Sequence, residues 1–139
     1  TGAAWSPVGD GGGGGATANQ AIGSFGATFA GGGAVLTVGS KTYARVPFAC
    51  TVTGWSVIVD TGTATVDVWR VASATTTLPT VSNEIAGTGH PAISTGNSVK
   101  AAGANWTSTA IAADDTIGFN VDAATGATWM QVVVECAKS

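Results

Sequence analysis

From Thr128 to Ala137 the chain keeps a period of two, with Met130, Val132, Val134 and Cys136 on one side and Gln131 and Glu135 on the other. Successive side chains of a strand point to opposite faces, so this segment predicts a strand with one face in a core. One half-buried strand is not stable alone; it needs further strands and a second layer. The same reading applies upstream. Thr63–Val71 carries Val66 and Val68 on one face, and Cys50–Asp60 sets Cys50 and Val52 against Thr51 and Thr53. Gly54 lies inside that second run and predicts a bulge. Shorter strands are expected over residues 34–38, 42–48, 106–112 and 116–122, and a long irregular stretch over 72–97. Seven or eight strands in all predict an all-β fold, an antiparallel β-sandwich of jelly-roll type.

Composition supports this by removing the alternative. Only 9% of residues are charged, against the usual quarter, and Thr, Ser, Ala and Gly take their place. Helix surfaces would lack their Lys and Glu. The net charge of −3 and five scattered basic residues exclude a nucleic-acid partner, which needs clustered Lys and Arg. There is no apolar run of membrane-spanning length, so no membrane insertion is expected. The first residues show neither a basic nor an apolar leader segment and no initiator Met, so the chain is expected to be processed or a fragment.

Glycine divides the chain. Residues 1–33 hold 12 of its 21 glycines, including Gly11 to Gly15, and are expected to form an N-terminal arm ahead of a sandwich at 34–139. Ordering glycine-rich chain costs about 1–2 kcal/mol of backbone entropy per residue. Four large apolar groups, Trp5, Ile22, Phe25 and Phe29, return about 1.5–3 kcal/mol each when buried. The arm is therefore expected to order only between subunits of an oligomer, a homotrimer.

No residue set carries catalysis. Gly11 to Gly15 lacks the Gly-Lys-Ser/Thr ending of a phosphate loop. His90 is the sole histidine, sits in Gly89-His90-Pro91, and has no Gly-x-Ser-x-Gly partner sequence. One His and two distant Cys make no standard zinc set, so no metal and no cofactor are expected. Asp114-Asp115 reads as turn and surface acids rather than half of a glycosidase pair. Cys50 and Cys136 would share a core face if the first long strand pairs with the last, as a disulfide or as two buried thiols. Five tryptophans stand out: Trp55 and Trp69 are expected to fill the core, while Trp106 and Trp129, with His90, are the candidates for ligand contact.

Taken in order, Tyr43-Ala-Arg-Val-Pro-Phe-Ala-Cys-Thr-Val-Thr-Gly-Trp55, Val66-Asp-Val-Trp-Arg70, Leu78-Pro-Thr-Val81, Asn105-Trp-Thr107 and Ala113-Asp-Asp-Thr-Ile-Gly-Phe-Asn-Val-Asp122 resemble the C-terminal domains of bacteriophage tail-fibre and virion-associated proteins. The resemblance covers about residues 31–139, and it is the ordered set rather than any single motif that is specific. The chain departs from the pattern in carrying a single proline at Pro79 and little fibre sequence ahead of the domain. The resemblance implies a sandwich carried on a virion, with other virion proteins as partners and a host-surface glycan or protein as target. The alternatives are a capsid decoration or head-fibre subunit that stabilises an assembly, and a cellular carbohydrate-binding module.

Overall fold

A computed structural model describes residues 21–103 and 105–139. The strands are β1 (Ile22–Ala30), β2 (Lys41–Val46), β3 (Cys50–Val59), β4 (Thr63–Val71), β5 (Ala92–Ile93), β6 (Ser98–Ala102), β7 (Ala110–Ile111), β8 (Asp115–Thr125) and β9 (Trp129–Lys138). One 3₁₀ turn spans Val81–Asn83, and there is no α-helix among the described residues. The strands form two sheets, ordered β1-β9-β3-β6 (sheet A) and β2-β8-β4-β5 (sheet B), with β7 paired to β3.

This order is a rolled hairpin. Setting β7 aside, the antiparallel pairs are β1·β9, β2·β8, β3·β6 and β4·β5, a long ribbon folded at β4–β5. Wrapping the ribbon brings β9 against β3 and β8 against β4, which closes both sheets. The fold is a jelly roll, two layers around one apolar core.

Alternation builds that core. Val66 and Val68 of β4, Ile117, Phe119 and Val121 of β8, and Met130, Val132 and Val134 of β9 are fully buried. On β3 the phase changes midway: Cys50 and Val52 are inward, then Trp55, Val57 and Val59. A register shift between Val52 and Gly54 against β9 inserts the extra residue. Glycine fits the bulge because a Cβ at Gly54 would stand 2.8 Å from the Ala101 carbonyl oxygen. Cys50 and Cys136, side by side on β3 and β9, are joined by a disulfide with Cα atoms 5.7 Å apart.

The segment 22–33 departs from the expected arm. Ile22–Ala30 is an edge strand of sheet A, paired with β9 along its whole length. Phe29 is buried, and Phe25 packs against the core with its ring centroid 6.3 Å from that of Phe119. Ile22 stays exposed, and Trp5 lies outside the described residues. Ladder hydrogen bonds to β9 and the core contacts of Phe25 and Phe29 offset the entropy cost of ordering this segment within its own domain. Residues 34–38 are a connector rather than a strand. Gly32 and Gly33 take positive φ and break the extended chain, after which Leu36 is buried and its N–H donates to Ala127 at 2.8 Å. Residues 106–112 contribute only the two residues of β7. Trp106 and Thr107 instead clamp a loop, the indole N–H donating to the Gly89 carbonyl at 2.8 Å and the Thr107 N–H to that of Ile85 at 2.9 Å.

Candidate functional site

With Val66 and Val68 facing inward, Asp67 and Trp69 of β4 fall on the outer face of sheet B. Gly118, Asn120 and Asp122 of β8 join them there, with Lys41 and Tyr43 of β2. Such a face is ordinarily wet. Here Asp67, Trp69 and Asn120 are each more than nine-tenths buried, because the stretch between β4 and β5 returns across them. Pro79 and Tyr43 meet above Gly118, where a Cβ would lie 3.1 Å from each. Asn83 Oδ1 accepts from the Thr80 N–H at 2.8 Å and fixes the turn that holds Val81 at the rim. The open cleft there has a volume of about 460 Å³, with Tyr43, Trp69, Asp67, Asn120, Lys41 and Asp122 among its lining residues.

Its polar groups are only partly spent. Asn120 Nδ2 donates to Asp67 Oδ2 at 2.8 Å. The Asn120 Oδ1 and Trp69 Nε1 atoms are buried without a partner. An unpaired buried polar group costs about 1–3 kcal/mol.

Beside the cleft, the returning chain runs along the open edge of β4, the Ile85 N–H donating to the Val68 carbonyl at 2.9 Å. This sets Glu84 and His90 against Asp67. Glu84 Oε2 accepts from the Ala86 N–H at 2.7 Å and the Val68 N–H at 3.4 Å. His90 Nε2 stands 3.4 Å from Asp67 Oδ1 and 3.4 Å from Glu84 Oε1. Burial raises the Glu84 carboxyl above its ordinary value, and the Asp67 charge adds to this, against the opposing pull of His90 and the amide donors.

The residues singled out from sequence do not converge. His90 lies at this carboxylate pair. Trp106 is only 6% exposed and spends its N–H on Gly89, so it supports the loop and presents no open face. Trp129 lies on sheet A, 37% exposed, its backbone N–H donating to Asp60 Oδ1 at 3.1 Å. Trp55 and Trp69 are both buried, but Trp69 is under the cleft rather than between the sheets. Asp115 is no surface acid: it is 1% exposed, 2.5 Å from Arg70 Nε, and accepts from the Ala112 N–H at 2.8 Å. The turn places Asp114 at φ 69°, a conformation Asp tolerates. From sequence Asp67 and Glu84 read as turn or surface acids, and Tyr43 and Asn120 had no assigned role. A signal was present in Val66-Asp67-Val68-Trp69, where an acid and a large aromatic share the face opposite the core just before a loop long enough to return.

No protein-family model matches the chain, and no curated protein matches it in sequence. Among solved structures, a chain of the Nora virus structure is similar with a TM-score of 0.35 and 11% identity, over 84% of this chain and 55% of that one. A chain of the infectious bursal disease virus Gt strain gives 0.27 and 12%, over 84% of this chain and 31% of that one. This chain thus spans about half the length of the first and a third of the second, and likenesses this slight carry no inference about role.

Proposed function

We propose that this chain is a non-enzymatic bacteriophage virion protein, a fibre- or spike-like domain that holds a host-surface glycan in the cleft on sheet B. The observation that supports it most is the cleft's chemistry. Tyr43 is 36% exposed and lines the cleft with Trp69 and Asn120, whose Nε1 donor and Oδ1 acceptor lie buried and unpaired behind its surface. A sugar presents an apolar ring face and hydroxyls that donate and accept at once, which suits an aromatic wall above mixed polar groups. The ordered resemblance to virion fibre domains supplies the virion setting, and jelly rolls serve both capsids and lectins; fold alone decides neither.

The assembly part of the proposal rests on sheet A. Among the described residues β1 pairs on one side only, with β9, and leaves an open edge with exposed Ile22 at its start. Unpaired edges invite strand addition, and we place the contact with other copies, a trimer, there. Binding of the wild-type chain and of Tyr43→Ala to an immobilised panel of bacterial surface glycans tests the proposal. The expected result is a defined glycan signal that falls at least about tenfold in the variant, the loss of roughly 1.4 kcal/mol of contact. An empty panel, or equal binding by Tyr43→Ala, sinks the glycan reading.

A further inference from the structure

Two carboxylates and an imidazole converge at the edge of β4 in an arrangement that their own hydrogen bonding does not explain. Asp67, Glu84 and His90 each present one ligand atom, all lying within 4.8 Å of one another. In both acids the second oxygen is already occupied: Asp67 Oδ2 by the Asn120 amide, and Glu84 Oε2 by the Ala86 and Val68 N–H groups. The remaining oxygens, Asp67 Oδ1 and Glu84 Oε1, are the ones turned toward His90 Nε2. Donors behind a carboxylate fix its orientation, the usual support around a metal ligand.

The spacing discriminates further. Zinc binds imidazole nitrogen and carboxylate oxygen at about 2.0–2.2 Å in a tetrahedron. The edge of a tetrahedron is about 1.63 times its radius, so neighbouring ligand atoms sit roughly 3.3–3.6 Å apart. The two nitrogen–oxygen separations here are both 3.4 Å. Direct hydrogen bonds from His90 would be shorter, near about 2.8 Å for a charged pair.

Burial argues the same way. Asp67 is more than nine-tenths buried, and Glu84 beside it keeps 22% of its side-chain surface in solvent. A buried and a partly buried carboxylate held side by side favour a compensating cation. Next to them, Asn120 Oδ1 and Trp69 Nε1 remain buried and unpartnered on the cleft floor that Asp67 also lines. The His90 side chain keeps 30% of its surface in solvent, so an ion can enter and a fourth, water-filled position can remain open.

We propose that Asp67, Glu84 and His90 form a divalent transition-metal site, with zinc the fitting ion, which ties the returning segment to β4 and shapes one wall of the cleft. Calcium fits poorly, because it seeks six to eight oxygen ligands. The site stands on the three ligands alone and holds whether or not the cleft takes a glycan.

The test uses the full chain stripped with chelator and titrated with zinc chloride, followed by calorimetry and thermal melting. The expected result is one zinc per chain and a higher melting temperature with zinc. His90→Gln, at a partly exposed position, keeps the fold and weakens zinc binding by at least about tenfold. Glu84→Gln has the same effect through an independent ligand. Absence of binding, or zinc bound equally by wild type and both variants, overturns the site; the latter would mean that the ion sits elsewhere. Because the probe is the metal alone, failure here leaves the glycan assay unaffected, and the reverse.

Discussion

The two sheets share one kind of inner face and differ in their outer faces. Sheet A meets solvent with Thr51, Thr53, Gln131 and Glu135, and an ion pair there, Lys100–Glu135, spans 3.0 Å in the open. Sheet B is roofed, and it buries Asp67, Trp69 and Asn120 on the side away from the core. Sheet A also carries the covalent tie between β3 and β9. The contrast teaches a division of labour: one layer secures the fold by ordinary means, while the other accepts buried polar groups at a cost, beneath the surface proposed for binding.

The largest expected effect tests the stabilising layer. The disulfide joins residues 86 apart in sequence, and chain-entropy reasoning for such a loop gives on the order of 4–5 kcal/mol. Replacing Cys50 and Cys136 with Ala should lower the unfolding free energy by about that amount in urea, while zinc and glycan binding persist wherever the fold survives. A loss below about 1 kcal/mol would remove sheet A from that role.

This asymmetry also decides what sequence could reveal. β3, β9 and the core were legible because alternation reports one-sided burial, as at Met130, Val132 and Val134, whereas the short β6 was not. The bulge at Gly54 was legible for a related reason: glycine in a strand marks a place where backbone comes close. β1 was not, since glycines at 23 and 26 hide the period while Phe25 and Phe29 still pack on the core. The carboxylate–imidazole cluster was less legible still. Asp67, Glu84 and His90 are brought together only by an irregular segment returning over a sheet, and neither local period nor motif spacing encodes that return.

Acid titration sets two carboxylates of opposite behaviour against each other. Asp60, in the β3–β4 hairpin, accepts from the Thr128 hydroxyl and from the Thr61, Thr128 and Trp129 N–H groups, which lower its pKa from 3.8 to about 2. Its folded value lies below the unfolded one, so its contribution is present above about pH 4 and is lost as pH falls through about 2. Glu84 has the reverse sign. Its folded value lies above the ordinary 4.5, so the unfolded state ionises first and stability declines as pH rises through that range. Melting curves from pH 2 to 7 in chelator should show a flatter acid limb for Asp60→Asn, and for Glu84→Gln a smaller decline above about pH 4.5 than wild type. Restored zinc should cancel the decline in wild type and Asp60→Asn but not in Glu84→Gln. Parallel curves for all three proteins would erase the distinction between a carboxylate used as a hairpin cap and one held for a cation.

The smallest expected effect is on the outer face of sheet A, and its size bears on assembly. Lys100 is 69% exposed and its partner Glu135 33%. Exposed ion pairs contribute about 0–1 kcal/mol, since water screens the attraction and two long side chains lose freedom in making it. Lys100→Ala should therefore shift unfolding by less than about 1 kcal/mol, with little dependence on protein concentration. The same pair covered by another copy would behave differently. Removing Lys100 would then strand the Glu135 charge in a dry contact, at a cost of about 3–5 kcal/mol that grows more visible as dilution separates the copies. A small, concentration-independent loss keeps the outer face of sheet A in water and leaves the β1 edge as the surface proposed for contact between copies. A large, concentration-dependent one moves that contact from the edge of the sheet onto its face.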